Sequence, residues 1–168
     1  MRQSLRTFVQ SRIGVAFGLA VLLVVVIGVV SYHNTAGLVQ TAGLVARTHE
    51  VEAQLEEVLS QLKDVEDGAR GYVIVGDEEY LEPYRAAKEV LGESIKELRQ
   101  LAADNPAQQQ RLDALDPLVA QELATSQQAI DARAAGGLDA GVQAIRTLKG
   151  QQIMDSIRTV IADMKAEE

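Results

Sequence analysis

Between Glu66 and Tyr84 the chain reads EDGARGYVIVGDEEYLEPY, placing Gly68, Gly71 and Gly76, one arginine and Tyr72, Tyr80 and Tyr84 where two apolar-periodic segments meet. A helix approaching from the N-terminal side is predicted to end near Val75. Gly76 can take the left-handed conformation that closes a helix, and Asp77 is placed to cap the next one. Glu78 and Glu79 then suit the positive end of that second helix. Leu81 and Pro83 follow; the proline is tolerated in the first turn, so regular helix is expected from about Glu82. Glu66 and Arg70 stand four residues apart with the acid first, the favourable order for an ion pair within a helix. Gly68 and Gly71 admit a neighbouring backbone, and Tyr72, Tyr80 and Tyr84 can pack against it while keeping their hydroxyls in polar surroundings. The same ingredients serve a structural hinge between two helices or a binding corner in which Arg70 receives an anionic group.

Upstream of the corner, Leu44, Thr48, Val51, Leu55, Val58, Leu62 and Val65 alternate steps of four and three, the period of a coiled-coil seam. Downstream, Tyr84, Ala87, Leu91, Ile95 and Leu98 mark the inner face of a second helix to about residue 103, and Asn105-Pro106 reads as a cap and first helical residue. A third helix, with Leu112, Leu115, Val119, Leu123 and Ile130 inward, runs to Gly136-Gly137, with Pro117 expected to bend it. A fourth presents Val142, Ile145, Ile153, Ile157, Val160 and Met164. The fold expected is all-α: helices at about 32–75, 78–103, 106–135 and 138–168, joined by short turns into an up-down-up-down four-helix bundle.

Ile13 to Val30 is a run of about eighteen apolar or glycine residues, close to the ~30 Å of a hydrocarbon layer at 1.5 Å per residue. Arg2, Arg6 and Arg12 precede it and no acid occurs before Glu50, which orients residues 1–12 to the cytoplasm, 13–31 as a span in the lipid bilayer, and 32–168 outside. A cleaved signal peptide also starts basic and then apolar, but this run is longer than such a core, no A-x-A pattern follows it, and Tyr32 suits an interfacial anchor. Beyond the span the first helix has roughly 43 residues and the fourth about 30, or ~65 Å against ~45 Å. With no capping signal at Glu168, the pattern predicts further helix and a second span after it.

Composition excludes much. Three of the 16 Lys and Arg precede the span, leaving 13 against 24 Asp and Glu outside, a surface that repels nucleic acid. Without cysteine there is no disulfide, thiol catalysis or Cys-ligated zinc, and with no tryptophan and two phenylalanines the core must be aliphatic. Only His33 and His49 occur and there is no Glu-x-x-His pair, so the ligands of a haem or di-iron bundle are missing and no cofactor is expected. His49-Glu50 lacks the glycine boxes of a kinase and reads as a solvated stalk residue. No nucleophile elbow or phosphate loop appears, so no enzyme activity is expected of this chain.

The corner Glu66, Gly68, Arg70, Gly71, Tyr72, Gly76, Asp77, Tyr80, Leu81, Pro83 and Tyr84 resembles the signature of the third class of CHASE domains, extracytoplasmic sensor modules of bacterial signalling proteins. Downstream, Asn105 and Pro106 resemble that family's second turn, and Met154, Asp155, Ile157 and Arg158 its last helix. Asp67 departs from the family, which more often has threonine there. The resemblance implies a sensory domain between two membrane spans, feeding a histidine kinase, nucleotide cyclase or chemotaxis-type output absent from these 168 residues. The histidine kinase is the favoured output, and the stimulus, small molecule or protein, is unspecified. The seam of the first helix predicts a parallel homodimer, signalling by a small displacement of helix four against helix one. The alternative is a membrane-anchored structural or interaction bundle without output, which the same periodicity would serve.

Overall fold

The structure, a computed structural model, describes the backbone of residues 2–147 and 149–167 and the side chains of residues 22–28, 31, 46–147 and 149–167. It is all-helical: α1 spans Arg2–Val75, a 3-10 turn Glu78–Leu81, α2 Glu82–Leu101, α3 Pro106–Ile145 and α4 Lys149–Lys165. The chain divides into two compact units, Met1–Ala46 and Arg47–Glu168.

In the first unit the described side chains from Leu22 to Ile27 are all exposed. Most of the apolar run 13–31 lies outside the residues whose side chains are described, as do Leu44 of the seam and His33. Among the described residues no helix is long and apolar enough to cross a membrane.

In the second unit one aliphatic cluster draws on every α-helix. Val51, Leu55, Val58 and Leu62 of α1 meet Leu91 and Leu98 of α2, Leu112, Leu115 and Val119 of α3, and Ile153, Met154, Ile157, Ile161 and Met164 of α4. Burial of this size is the main stabilising term in a domain without staples. The seam from Val51 to Val65 is therefore covered by this chain's own helices, at 0–1% exposure. A regular a/d period identifies a buried stripe but not the partner that buries it.

Local chemistry sets the turns. Gly76 has φ 84° and donates its amide to the Tyr72 carbonyl at 2.7 Å, ending α1. Asp77 accepts the Glu79 amide at 3.0 Å, and the chain makes one 3-10 turn before Pro83 sits in the first turn of α2. Asn105 caps α3 by accepting from the Ala107 and Gln108 amides. The end of α2 is tied from two sides, with Arg47 donating to the Leu101 carbonyl and Gln109 to those of Arg99 and Ala102.

The second half departs from expectation. The chain leaves helical geometry at Gly137, with φ 74° and ψ −163°, where helix three was expected to stop, and Pro117 lies inside helical backbone. The segment expected as one helix over 138–168 is instead interrupted by a turn at Arg146–Thr147, after which α4 starts at Lys149. Ile145 and Ile153 are eight residues apart, and the intervening turn of helix would present Lys149 inward; the interruption leaves Lys149 exposed.

Candidate functional site

The corner residues divide between two faces of α1. On one face, a Cβ at Gly68 would stand 2.9 Å from the Tyr84 nitrogen and 3.1 Å from the Tyr80 carbonyl, so the start of α2 lies directly on the α1 backbone. Gly71 takes the ring of Tyr80, whose Cδ1 is 2.6 Å from where a Cβ would be. Tyr84 is buried beside Val65, Ala69, Leu81, Ala87 and Ile130, with Tyr72 packed against the same cluster. Its hydroxyl donates to Gln127 Oε1 at 2.8 Å, and Lys88 Nζ lies 3.2 Å from the phenolic oxygen. Gly76 is held to glycine by its positive φ, and the end of the Arg133 side chain lies over it where a Cβ would stand.

On the other face, Arg70 Nη2 lies 2.7 Å from Glu66 Oε1, the ion pair the spacing suggested. The tyrosines do not gather around Arg70. What faces it is a cavity of about 30 Å³ between α1, α3 and the start of α4, lined by Glu66 and Arg70 and, across from them, by Glu122 and Ser126. Ala69, Ala129, Ala144 and Gly150 leave the space open by being small.

Glu122 is the residue that the sequence pattern passed over. It is 1% exposed, accepts a hydrogen bond from Ser126 Oγ at 3.2 Å through Oε1, and has no partner at Oε2. Burial pushes its carboxyl above the usual carboxylate range; the Glu66 charge adds to that, while the Ser126 hydroxyl and Arg70 oppose it. The signal was present: Val119, Glu122, Ser126 and Ala129 continue the inward stripe of Leu112 and Leu115 in steps of three and four. An acid on such a stripe is a buried charge, and buried charges are costly unless paired.

The downstream motif residues have structural roles. Asn105 caps α3 and Pro106 opens it. Met154 and Ile157 are fully buried, and Asp155 pairs with Arg158 at 2.9 Å on the surface. His49 is exposed and 3.5 Å from Glu52. At the other end of the unit, Gln61 donates to Glu57 and Ser94 while its Oε1 is buried without a partner, and Gln108 donates to the Met164 carbonyl at 2.8 Å. Among the described residues no cluster of His, Cys, Asp and Glu suits a metal ion.

A family model described as the CHASE3 domain matches residues 41–168. Comparison with curated proteins gives no match. Among solved structures, the chain is similar to the sensor domain of the Rhodopseudomonas palustris histidine kinase HK9, with a TM-score of 0.65 and 20% identity, over 71% of this chain and 94% of that one. At that identity the likeness speaks for a shared fold.

Proposed function

The chain belongs to the CHASE3 family, and from that membership we propose that it is the input module of a membrane receptor whose output is a histidine kinase. As a CHASE3 domain it is an extracytoplasmic sensory module and not a catalyst. The family match over residues 41–168 carries this reading, and the HK9 sensor domain supplies the kinase as the output to try first.

The proposed arrangement has residues 1–12 in the cytoplasm, 13–31 in lipid, and the remainder as an up-down-up-down bundle in the periplasm. Two such chains would lie parallel, through faces other than the buried α1 seam. Exposed Leu22 to Ile27, uncovered by their own chain, would then face hydrocarbon. α1 and α4 share the aliphatic core, and Lys165 of α4 pairs with Glu56 of α1. A stimulus that shifts α4 against α1 by an ångström or two would change the register of the segments leading to the membrane, enough to bias a bistable output.

A cross-link tests the relay. Glu56→Cys and Lys165→Cys, joined by a short bismaleimide in a fusion of residues 1–168 to the second span and kinase core of a histidine kinase, should fix autophosphorylation at one level. Autophosphorylation unchanged at complete cross-linking would remove α1–α4 displacement as the signal.

A further inference from the structure

A carboxylate closed off from water needs a proton, a water or a cation at each lone-pair direction, and Glu122 Oε2 has none of these from the protein. The space beside it is about 30 Å³, more than the roughly 10–15 Å³ that a single water needs, so there is room for a small polar group. The chemistry of the walls selects the group. Ser126 already spends its hydrogen on Glu122 Oε1, so its hydroxyl oxygen faces any further ligand as an acceptor. Glu66 supplies a second carboxylate at the cavity wall, while the cation nearest to both, Arg70, is engaged by Glu66 at 2.7 Å and is half-exposed. An anion would therefore meet two carboxylates and one occupied guanidinium, with the Thr125 hydroxyl as the remaining side-chain donor of the lining.

A divalent metal would fare no better, because calcium and magnesium require six or more oxygens, more than this set provides. A primary ammonium has three N–H donors and no acceptor, which matches a wall of acceptors, and Ala69, Ala129 and Ala144 offer an apolar surface to the carbon attached to it.

We propose that the cavity between α1 and α3 is a binding site for a small primary ammonium group, held by Glu122 at its floor with Ser126 and Glu66 as further acceptors. This deepens the sensory reading by giving the stimulus a chemical class. The position suits that role, since Ala144 and Ile145 line the cavity before the Arg146–Thr147 turn and Gly150 lines it after. An occupant touches both sides of the interruption that precedes α4. Arg70 acts against the ligand by competing for Glu66, the reverse of the anion-receiving role its sequence context suggested.

The test is calorimetric titration of the full chain in detergent micelles with methylammonium chloride at neutral pH, using tetramethylammonium chloride at equal ionic strength as the control. The expected result is saturable methylammonium binding and none for tetramethylammonium, which has no N–H to donate. Glu122→Gln should weaken binding about tenfold or more, the loss of one charge-assisted hydrogen bond. Arg70→Gln should strengthen it severalfold by releasing Glu66. Ala129→Leu, which fills the space and leaves the carboxylate in place, should abolish it and serves as the second test should Glu122→Gln disturb folding, as judged by helicity and thermal unfolding. Absence of saturable binding by the folded chain, or equal affinity in folded Glu122→Gln, overturns the proposal. Proton uptake by Glu122 with no methylammonium heat also overturns it and leaves Glu122 as a protonation site. Binding is read on the chain alone and relay on the cross-linked fusion, so either can fail without the other.

Discussion

Around Leu62, Leu98, Leu115 and Ile157 four helices meet through aliphatic side chains, and the buried amides among them, Gln61 and Gln108, each donate through Nε2 across helices, while Gln61 Oε1 is left without a partner. One turn further along α1, and two along α3, the same inward stripes carry Glu66, Ala69, Glu122 and Ala129 around a cavity. The first region has no alternative arrangement of comparable energy, since moving any member opens a void. The second holds an unmatched carboxylate, empty volume and an interrupted helix, so a ligand or a proton can change which arrangement is lowest. On the proposed relay, a displacement started in the cavity layer would be carried by α4 through the close-packed aliphatic layer.

The largest test of this contrast is a pair of substitutions of opposite sense. Leu115→Ala, at a fully buried position in the aliphatic layer, should cost about 3 kcal/mol. Ala129→Leu, directed into the cavity, adds the same atoms where space exists and should cost under about 1 kcal/mol, below the usual range for overpacking. Urea unfolding with unchanged m-values measures both. Equal costs would mean that the two layers are packed alike.

Gly68→Ala probes the junction between the faces of the corner. The added methyl would meet the Tyr84 nitrogen at 2.9 Å and Cβ at 3.0 Å, backbone and near-backbone atoms that yield only if α2 moves away from α1. Overpacking of about 1–3 kcal/mol outweighs the ~1 kcal/mol gain in helix propensity, for a net loss of about 2 kcal/mol or less. Gly92→Ala, where nothing lies within 4 Å of the new methyl, should be stabilising and gives the reference. A Gly68→Ala protein as stable as Gly92→Ala would show that the close approach at the corner is not a constraint.

How much of this could be read from the sequence depended on the range of the interaction. Gly76, Asp77, Pro83, Asn105 and Pro106 act on backbone groups within a few residues, so their local order is enough to place the helix ends. The seam from Val51 to Val65 was legible as buried, but period does not name the burying partner, and the stripe went to the chain's own α2, α3 and α4. The break at Arg146–Thr147 left only a gap in the stripe between Ile145 and Ile153. Glu122 was missed because an acid on a helix is by default taken as solvated. The stripe placed Glu122 inward, but the cavity it shares with Glu66, Arg70 and Gly150 is assembled from elsewhere in the chain, which no local pattern encodes.

The smallest effect separates the two layers most directly, because it has a sign that simple loss of contacts would not give. In the folded chain the Glu122 carboxyl titrates above its ordinary value of 4.5, so across the window from that value up through the raised one the native state holds a proton that the unfolded chain has released. Folding stability contributed by this group is therefore complete below the window and lost as pH rises through it, leaving a desolvated charge above it. Glu122→Gln keeps the shape, can still accept from Ser126, and removes the charge. It should be more stable than the parent by about 1 kcal/mol above the window and equal to it in acid, with the difference growing across the window. Thermal unfolding followed against pH for both proteins gives the answer: a constant difference, or a variant weaker at neutral pH, would mean that the carboxylate is satisfied in the fold, and the cavity would then be one more packing defect in an otherwise uniform core.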